Sequence, residues 1–162
     1  MRDFSTIPEA VACCVLRVER APNTQHVTRN TLAVGCFIAD RKRVRGIALT
    51  DNVPVMSAWS NDTHYERVFV EQLITHYRPG DTLVAISGSG NSPNVLHAVE
   101  WANRQGAPTI GLSGFDGGKL ATLARLALVV PNHSMPQVED VHMALCHALA
   151  VNLAEMIKEQ VC

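Results

Sequence analysis

Between Gly46 and Pro131 the chain alternates two hydrophobic periods, and this alternation restricts the possible folds more than any other feature. Short apolar runs recur at "GIALT" (46–50), "DTLVAIS" (81–87), "PTIGLS" (108–113) and "RLALVVP" (125–131). Between them apolar residues return at helical spacing. Val68, Leu73, Ile74 and Tyr77 mark one such stretch, Val95, Leu96, Val99 and Ala102 the next, and Leu120, Leu123 and Ala124 a shorter third. Beyond Pro136 a longer stripe carries Val141, Leu145, Leu149, Leu153 and Met156. Apolar runs of strand length, each followed by a helical stretch, are buried on both faces. They predict a doubly wound α/β layer: a parallel sheet of four to five strands with helices on both faces. "AVACCVLRV" (10–18) supplies the fifth strand. At 162 residues and 47% hydrophobic content, the expectation is a single domain over 1–162.

In such sheets ligands sit outside the carboxyl ends of the strands. Here those ends read "TDN" (50–52), "SGSGNS" (87–92), "SGFDGG" (113–118) and "PNHSMPQ" (131–137). The second runs straight into a helix. Ser92 is its expected N-cap, with Pro93 at the first helical position, where a missing N–H costs nothing. The positive end of that helix, its free N–H groups and the hydroxyls of Ser87, Ser89 and Ser92 can surround a phosphate dianion. Gly88 and Gly90 let the backbone approach closely. No lysine follows the loop and no G-x-G-x-x-G is present, which excludes a nucleotide P-loop and disfavours a dinucleotide site. A phosphate on a small molecule is left, beside the plain reading of a well-capped turn.

Charge and composition remove other classes. The formal net charge is −1 and the pI about 6.6, so nothing attracts nucleic acid or an anionic membrane wholesale. Arg41, Lys42, Arg43 and Arg45 form the densest basic run and are expected in a solvated loop. No apolar run reaches the ~18 residues of a membrane span. The N-terminus carries no apolar core of signal-peptide type, which points to the cytoplasm. Cys13, Cys14, Cys36, Cys146 and Cys162 show no C-x-x-C spacing and are expected to pack in the core rather than pair.

Three motifs carry a resemblance. Residues 81–133 contain a strand ending in S-x-S-G-N-S and an L-S/T-G-x-D-G-G turn. The helix that follows bears an E/Q-x-x-H-x-x-x-x-H pattern at Glu139, His142 and His147. With "ALTDNVPVMSAWSND" (48–62), these resemble the SIS (sugar isomerase) domain family, in its phosphoheptose isomerase branch, from about Gly46 to the C-terminus. The resemblance implies a flavodoxin-like three-layer sandwich. It implies a phosphosugar held by Ser87, Gly88, Ser89, Asn91 and Ser92, with Asp51, Asn52 and Asp116 against the sugar. The implied reaction interconverts sedoheptulose 7-phosphate and glycero-manno-heptose 7-phosphate through an enediol, with His147 as the matching catalytic group and Glu139, on the same helix, as this chain's second catalytic candidate. It also implies a homo-oligomer, a dimer or tetramer. Some members bind zinc, for which His26, Glu139 and His147 are the matching ligands.

The N-terminal part departs from the pattern. In the family the catalytic pair is a Glu four residues after a His, together with the last-helix His. His26 in "NTQHVTRN" matches the first His, but four residues on stands Asn30, which cannot accept a proton. "CCVLRVERAPNTQH" (13–26) lacks the glycines of the family's C-G-N-G-G-S loop, so 1–25 is an atypical segment. The family's N-terminal helix is also expected to be missing. A local shift of reading frame and a divergent N-terminus both account for these facts. Two functions stay open: an isomerase with impaired chemistry, and a non-catalytic phosphosugar-binding or regulatory module like the family's replication-initiation regulator.

Overall fold

The computed structural model describes residues 11–19 and 43–159. Five strands form one sheet in the order β2-β1-β3-β4-β5: β1 (Val11–Glu19), β2 (Arg43–Ala48), β3 (Thr82–Ser87), β4 (Thr109–Gly114) and β5 (Leu126–Val130). Five α-helices follow the strands: α1 (Val53–Asp62), α2 (Val68–His76), α3 (Pro93–Arg104), α4 (Gly118–Leu123) and α5 (Met135–Glu159). The α/β class and the helices on both faces are as the sequence predicts.

The two faces are separate cores. Leu83 and Ala85 of β3 join Val68, Phe69 and Leu73 of α2, Val95 and Val99 of α3 and Leu120 of α4 on one side. Val84 and Leu112 join Cys146 of α5, with Ile86, Ile110, Leu128 and Leu145 around them, on the other. Residues of β3 and β4 thus feed both cores in alternation, which is why these strands read as unbroken apolar runs. Trp59 and Trp101 pack against the first core, and Tyr77 meets Trp101 edge-on at 5.4 Å. Cys13 and Cys146 are buried, in keeping with core packing, and burial pushes the Cys146 thiol up. Cys36 and Cys162 lie outside the described residues.

Direction is where the sheet departs from expectation. β3, β4 and β5 run parallel, with Ser87 level with Ser113 and Gly114 level with Val130. β1 is antiparallel to both β2 and β3, so β2 points the same way as β3 and only β1 is reversed. An apolar run reads alike in either direction. Polarity is set by the connection after the strand, and residues 20–42 lie outside the described ones. Arg43 and Arg45, expected in a loop, are in β2. Arg45 pairs with the buried Asp81 at 2.9 Å, and Asp81 also accepts from the Arg78 N–H at 2.8 Å, closing the turn that starts β3. α1 has no fully buried residue and packs only Met56 and Trp59 partly against the first core, so its apolar period is weak. Its start is set by the Asn52 side chain, which accepts from the Val55 N–H.

α3 ends in a paired backbone closure. Ala107 N–H reaches the Ala102 carbonyl and Gly106 N–H the Asn103 carbonyl, both at 3.0 Å, with Gly106 at φ +76°. Beside it, the buried Thr109 hydroxyl donates to Asn103 Oδ1 at 2.9 Å and accepts from the Arg125 N–H at 2.9 Å. Asn103 Nδ2 donates to the Leu123 carbonyl at 2.8 Å. This network ties α3, β4 and the end of α4 together at the edge opposite the strand tips. Thr109→Val keeps the volume but strands both partners, and should cost about 1–3 kcal/mol in urea unfolding with an unchanged m-value.

Candidate functional site

The β3–α3 loop is folded on itself by its own serines. Ser87 Oγ and Ser92 Oγ lie 2.9 Å apart, and Ser87 Oγ also accepts from the Gly90 N–H at 3.1 Å. Ser89 Oγ accepts from the Asn91 N–H at 3.1 Å. Ser92 is the N-cap of α3, and its carbonyl accepts from Val95 and Leu96 at 3.1 Å. Its hydroxyl does not cap the helix, because it is turned to Ser87. The loop therefore brings Ser87 and Ser92 together at the positive end of a three-turn helix, with Pro93 at its first position and Ser89 in the same loop.

A second loop supports the first. Gly114 N–H donates to the Gly88 carbonyl at 2.7 Å, and Leu120 N–H to the Gly90 carbonyl at 2.9 Å. The Asn91 side chain holds both loops, accepting from the Lys119 N–H at 3.1 Å and donating to the Ser89 carbonyl at 3.1 Å. Asn91 is thus a brace between the loops. Asp116 is exposed in the turn closed by Gly117 N–H and the Gly114 carbonyl at 2.9 Å. Phe115, just before it, sits at φ +52°, a conformation rare for a non-glycine residue. It is held by its N–H on the Asn132 carbonyl at 3.1 Å and by its ring against His133 at 5.5 Å.

Three buried polar atoms nearby or behind these loops have no hydrogen-bond partner among the described residues: Asn94 Nδ2, Ser113 Oγ and His142 Nε2. Asn94 is the second residue of α3, and Ser113 is the last residue but one of β4, level with Ser87. The sequence reading passed over Asn94 and Ser113. The repeated Ser-Gly pair at 87–88 and 113–114 was the available signal for Ser113.

The remaining candidates are spread along two elements. Asp51 and Asn52 follow β2, whose carboxyl end faces the same edge as the serine loop; β1 lies between, so two strand spacings of about 4.8 Å separate them. Both are exposed, and the Asn52 side chain caps α1. Glu139 is partly buried and follows Val138, whose methyl groups lie against Gly114. His147 is exposed and eight residues further, about 12 Å along the α5 axis and away from the loop edge. Within one chain it does not meet the serines. The stripe that faces the sheet is Val138, His142 and Cys146, all buried. Val141, Leu149 and Met156 of the expected stripe are exposed.

Glu139 and His147 offer oxygen and nitrogen donors of the kind zinc accepts. No group of three or more His, Cys, Asp or Glu side chains able to hold a metal occurs among the described residues. His26 and Asn30 lie outside them. One chain's described residues do not build a metal centre. No helix among them is long and apolar enough to cross a membrane.

Comparison with known proteins agrees with this geometry. Residues 25–114 match the SIS domain family. The phosphoheptose isomerase of Rhodospirillum rubrum is 40% identical over 129 residues, covering 80% of this chain and 68% of the relative. That of Aquifex aeolicus is 34% identical over 142 residues, covering 88% and 71%. A solved phosphoheptose isomerase from Neisseria gonorrhoeae superposes with a TM-score of 0.61 at 37% identity, covering 63% of this chain and 58% of that one. One from Francisella tularensis gives 0.64 at 29% identity, covering 67% and 61%. The chain thus spans less than two thirds of the length of these solved relatives.

Proposed function

The chain belongs to the SIS domain family, in its phosphoheptose isomerase branch, and on that premise we propose that it binds a phosphorylated sugar at the β3–α3 loop. The observation that carries the reading is the contact of the Ser87 and Ser92 hydroxyls at the start of α3, in a loop that also holds Ser89. A phosphate there meets hydroxyl donors and the positive helix end together, in a loop already braced from the β4 side. Asn94 Nδ2, buried beside it without a partner, is one more donor at the same helix start. Asp51 and Asp116, both exposed, are the side chains offered for the sugar hydroxyls.

The proposed reaction class is ketose–aldose phosphate interconversion, with sedoheptulose 7-phosphate as the ketose. A base takes the proton from the carbon beside the carbonyl, the enediol forms, and the proton returns to the former carbonyl carbon while an acid serves the oxygens. Glu139 and His147 are the titratable groups offered for these steps. His147 stands too far down α5 to serve its own loop, so it serves the loop of a second copy. The exposed Val141, Leu149 and Met156 support a homo-oligomer built on α5. A well-behaved monomer in light scattering at micromolar concentration would refute that assembly.

A second reading is a phosphosugar-binding module without catalysis, favoured by Asn30 where the family places its Glu. Both readings share the binding step. Calorimetry with sedoheptulose 7-phosphate tests it. Ser92→Ala removes the hydroxyl that meets Ser87, and Ser89→Ala the one that orders Asn91; each should weaken binding roughly tenfold, the worth of one charge-assisted hydrogen bond. Affinities equal to the parent's in both variants would make the loop a turn and nothing more.

A further inference from the structure

We infer that Met135, the first residue of α5, is a positioning residue for the phosphate loop, and that positions 88 and 135 form one coupled pair. The inference rests on the phosphosugar reading of that loop. Gly88 is not among the glycines at positive φ, so its backbone conformation does not require glycine. What meets that position is the flexible end of the Met135 side chain. A Cβ built on Gly88 would lie 2.3 Å from Met135 Sδ and 2.9 Å from its Cε. The S-x-S-G-N-S pattern leaves this position open, and the side chain that faces it is Met135.

The contact is part of a larger seat. The Gly88 carbonyl accepts from the Gly114 N–H at 2.7 Å, and a Cβ on Gly114 would meet Val138 Cγ1 at 2.5 Å and Cγ2 at 2.6 Å. The first turn of α5 therefore rests Met135 on the tip of β3 and Val138 on the tip of β4. The residue after Val138 is Glu139. A displacement of the loop at 88 is passed through Met135 to the turn that carries this carboxylate, and the reverse also holds. Methionine suits the position because its unbranched thioether re-seats with small changes in the surface it touches. The loop can then adjust around a phosphate without losing its backstop.

The test is a double-mutant cycle with Gly88→Ser, Met135→Ala and the two combined, read by calorimetry against sedoheptulose 7-phosphate and against inorganic phosphate. Gly88→Ser should weaken binding about tenfold, since the seryl side chain and the thioether compete for one volume. Met135→Ala should weaken it about threefold, by leaving the loop unsupported. The combined variant should bind within about twofold of the parent, far from the product of the single effects. If Gly88→Ser does not fold, the combined variant still decides, because it must fold and bind at least as well as Met135→Ala. Thermal unfolding of the same proteins separates a packing role from a positioning one: coupling in Tm without coupling in affinity overturns the inference. Additive losses in affinity overturn it too, while leaving the phosphosugar reading intact. A parent that binds neither ligand overturns that reading and this one with it.

Discussion

Gly90→Ala is expected to remove measurable phosphosugar binding and to lower the unfolding free energy by more than 2 kcal/mol, roughly the combined cost of a left-handed alanine and a backbone collision. Gly90 sits at φ +70°, where an L side chain is strained in any surroundings. Its surroundings are also closed. A Cβ there would lie 2.0 Å from the Gly117 carbonyl oxygen and 2.7 Å from its carbon. These are backbone atoms, so no side-chain rotation relieves the contact. The two loops must part. Parting them breaks the Leu120 N–H bond to the Gly90 carbonyl and the Asn91 brace to Lys119, and with them the arrangement of Ser87, Ser89 and Ser92. Gly106→Ala is the matched control. Gly106 has φ +76°, but its Cβ would meet nothing within 4 Å. It should cost only the conformational part, about 1 kcal/mol, and leave binding unchanged. Equal effects of the two substitutions in urea unfolding and calorimetry would show that contact between the loops contributes nothing.

The same glycines explain what the sequence made legible. The loops at 87–92 and 113–118 were visible because each needs small residues, hydroxyls and a following helix start, all of which are local. That they brace one another was not visible, since a contact of Gly90 with Gly117 spans 27 positions and depends on how β3 and β4 lie side by side. The strands were legible for a similar reason: burial on both faces leaves a continuous apolar run. Their direction was not, and β1 is reversed. On α5, Val141, Leu145, Leu149, Leu153 and Met156 keep a helical period, yet the row buried against the sheet is Val138, His142 and Cys146, with only Leu145 of the stripe packed beside it. A polar His in the buried row hid that row from a count of apolar residues. The apolar residues left exposed are the ones available to a second copy of the chain.

The remaining large effect concerns turnover. The protein is expected to bind sedoheptulose 7-phosphate and to isomerise it at least a hundredfold more slowly than an ordinary member of its family. Isomerisation through an enediol needs a base close to the carbon that loses the proton, and such a group accounts for about 10²–10⁴ in rate. In the family pattern that base follows His26 by four residues, where this chain has Asn30, outside the described residues. A side-chain amide has no titration in the working range, so the loss amounts to about 3–5 kcal/mol of barrier. In the proposed site His147 is the group offered for the partner step, and Glu139, also on α5, is a further carboxylate offered there. Asn30→Glu should then raise kcat about tenfold or more with little change in KM, because it adds a group that acts in the transition state and not in binding. The comparison is made with both proteins at equal oligomeric state, with and without added zinc. Parent turnover at an ordinary isomerase rate, unaffected by Asn30→Glu but abolished by Glu139→Gln, would assign the base to Glu139.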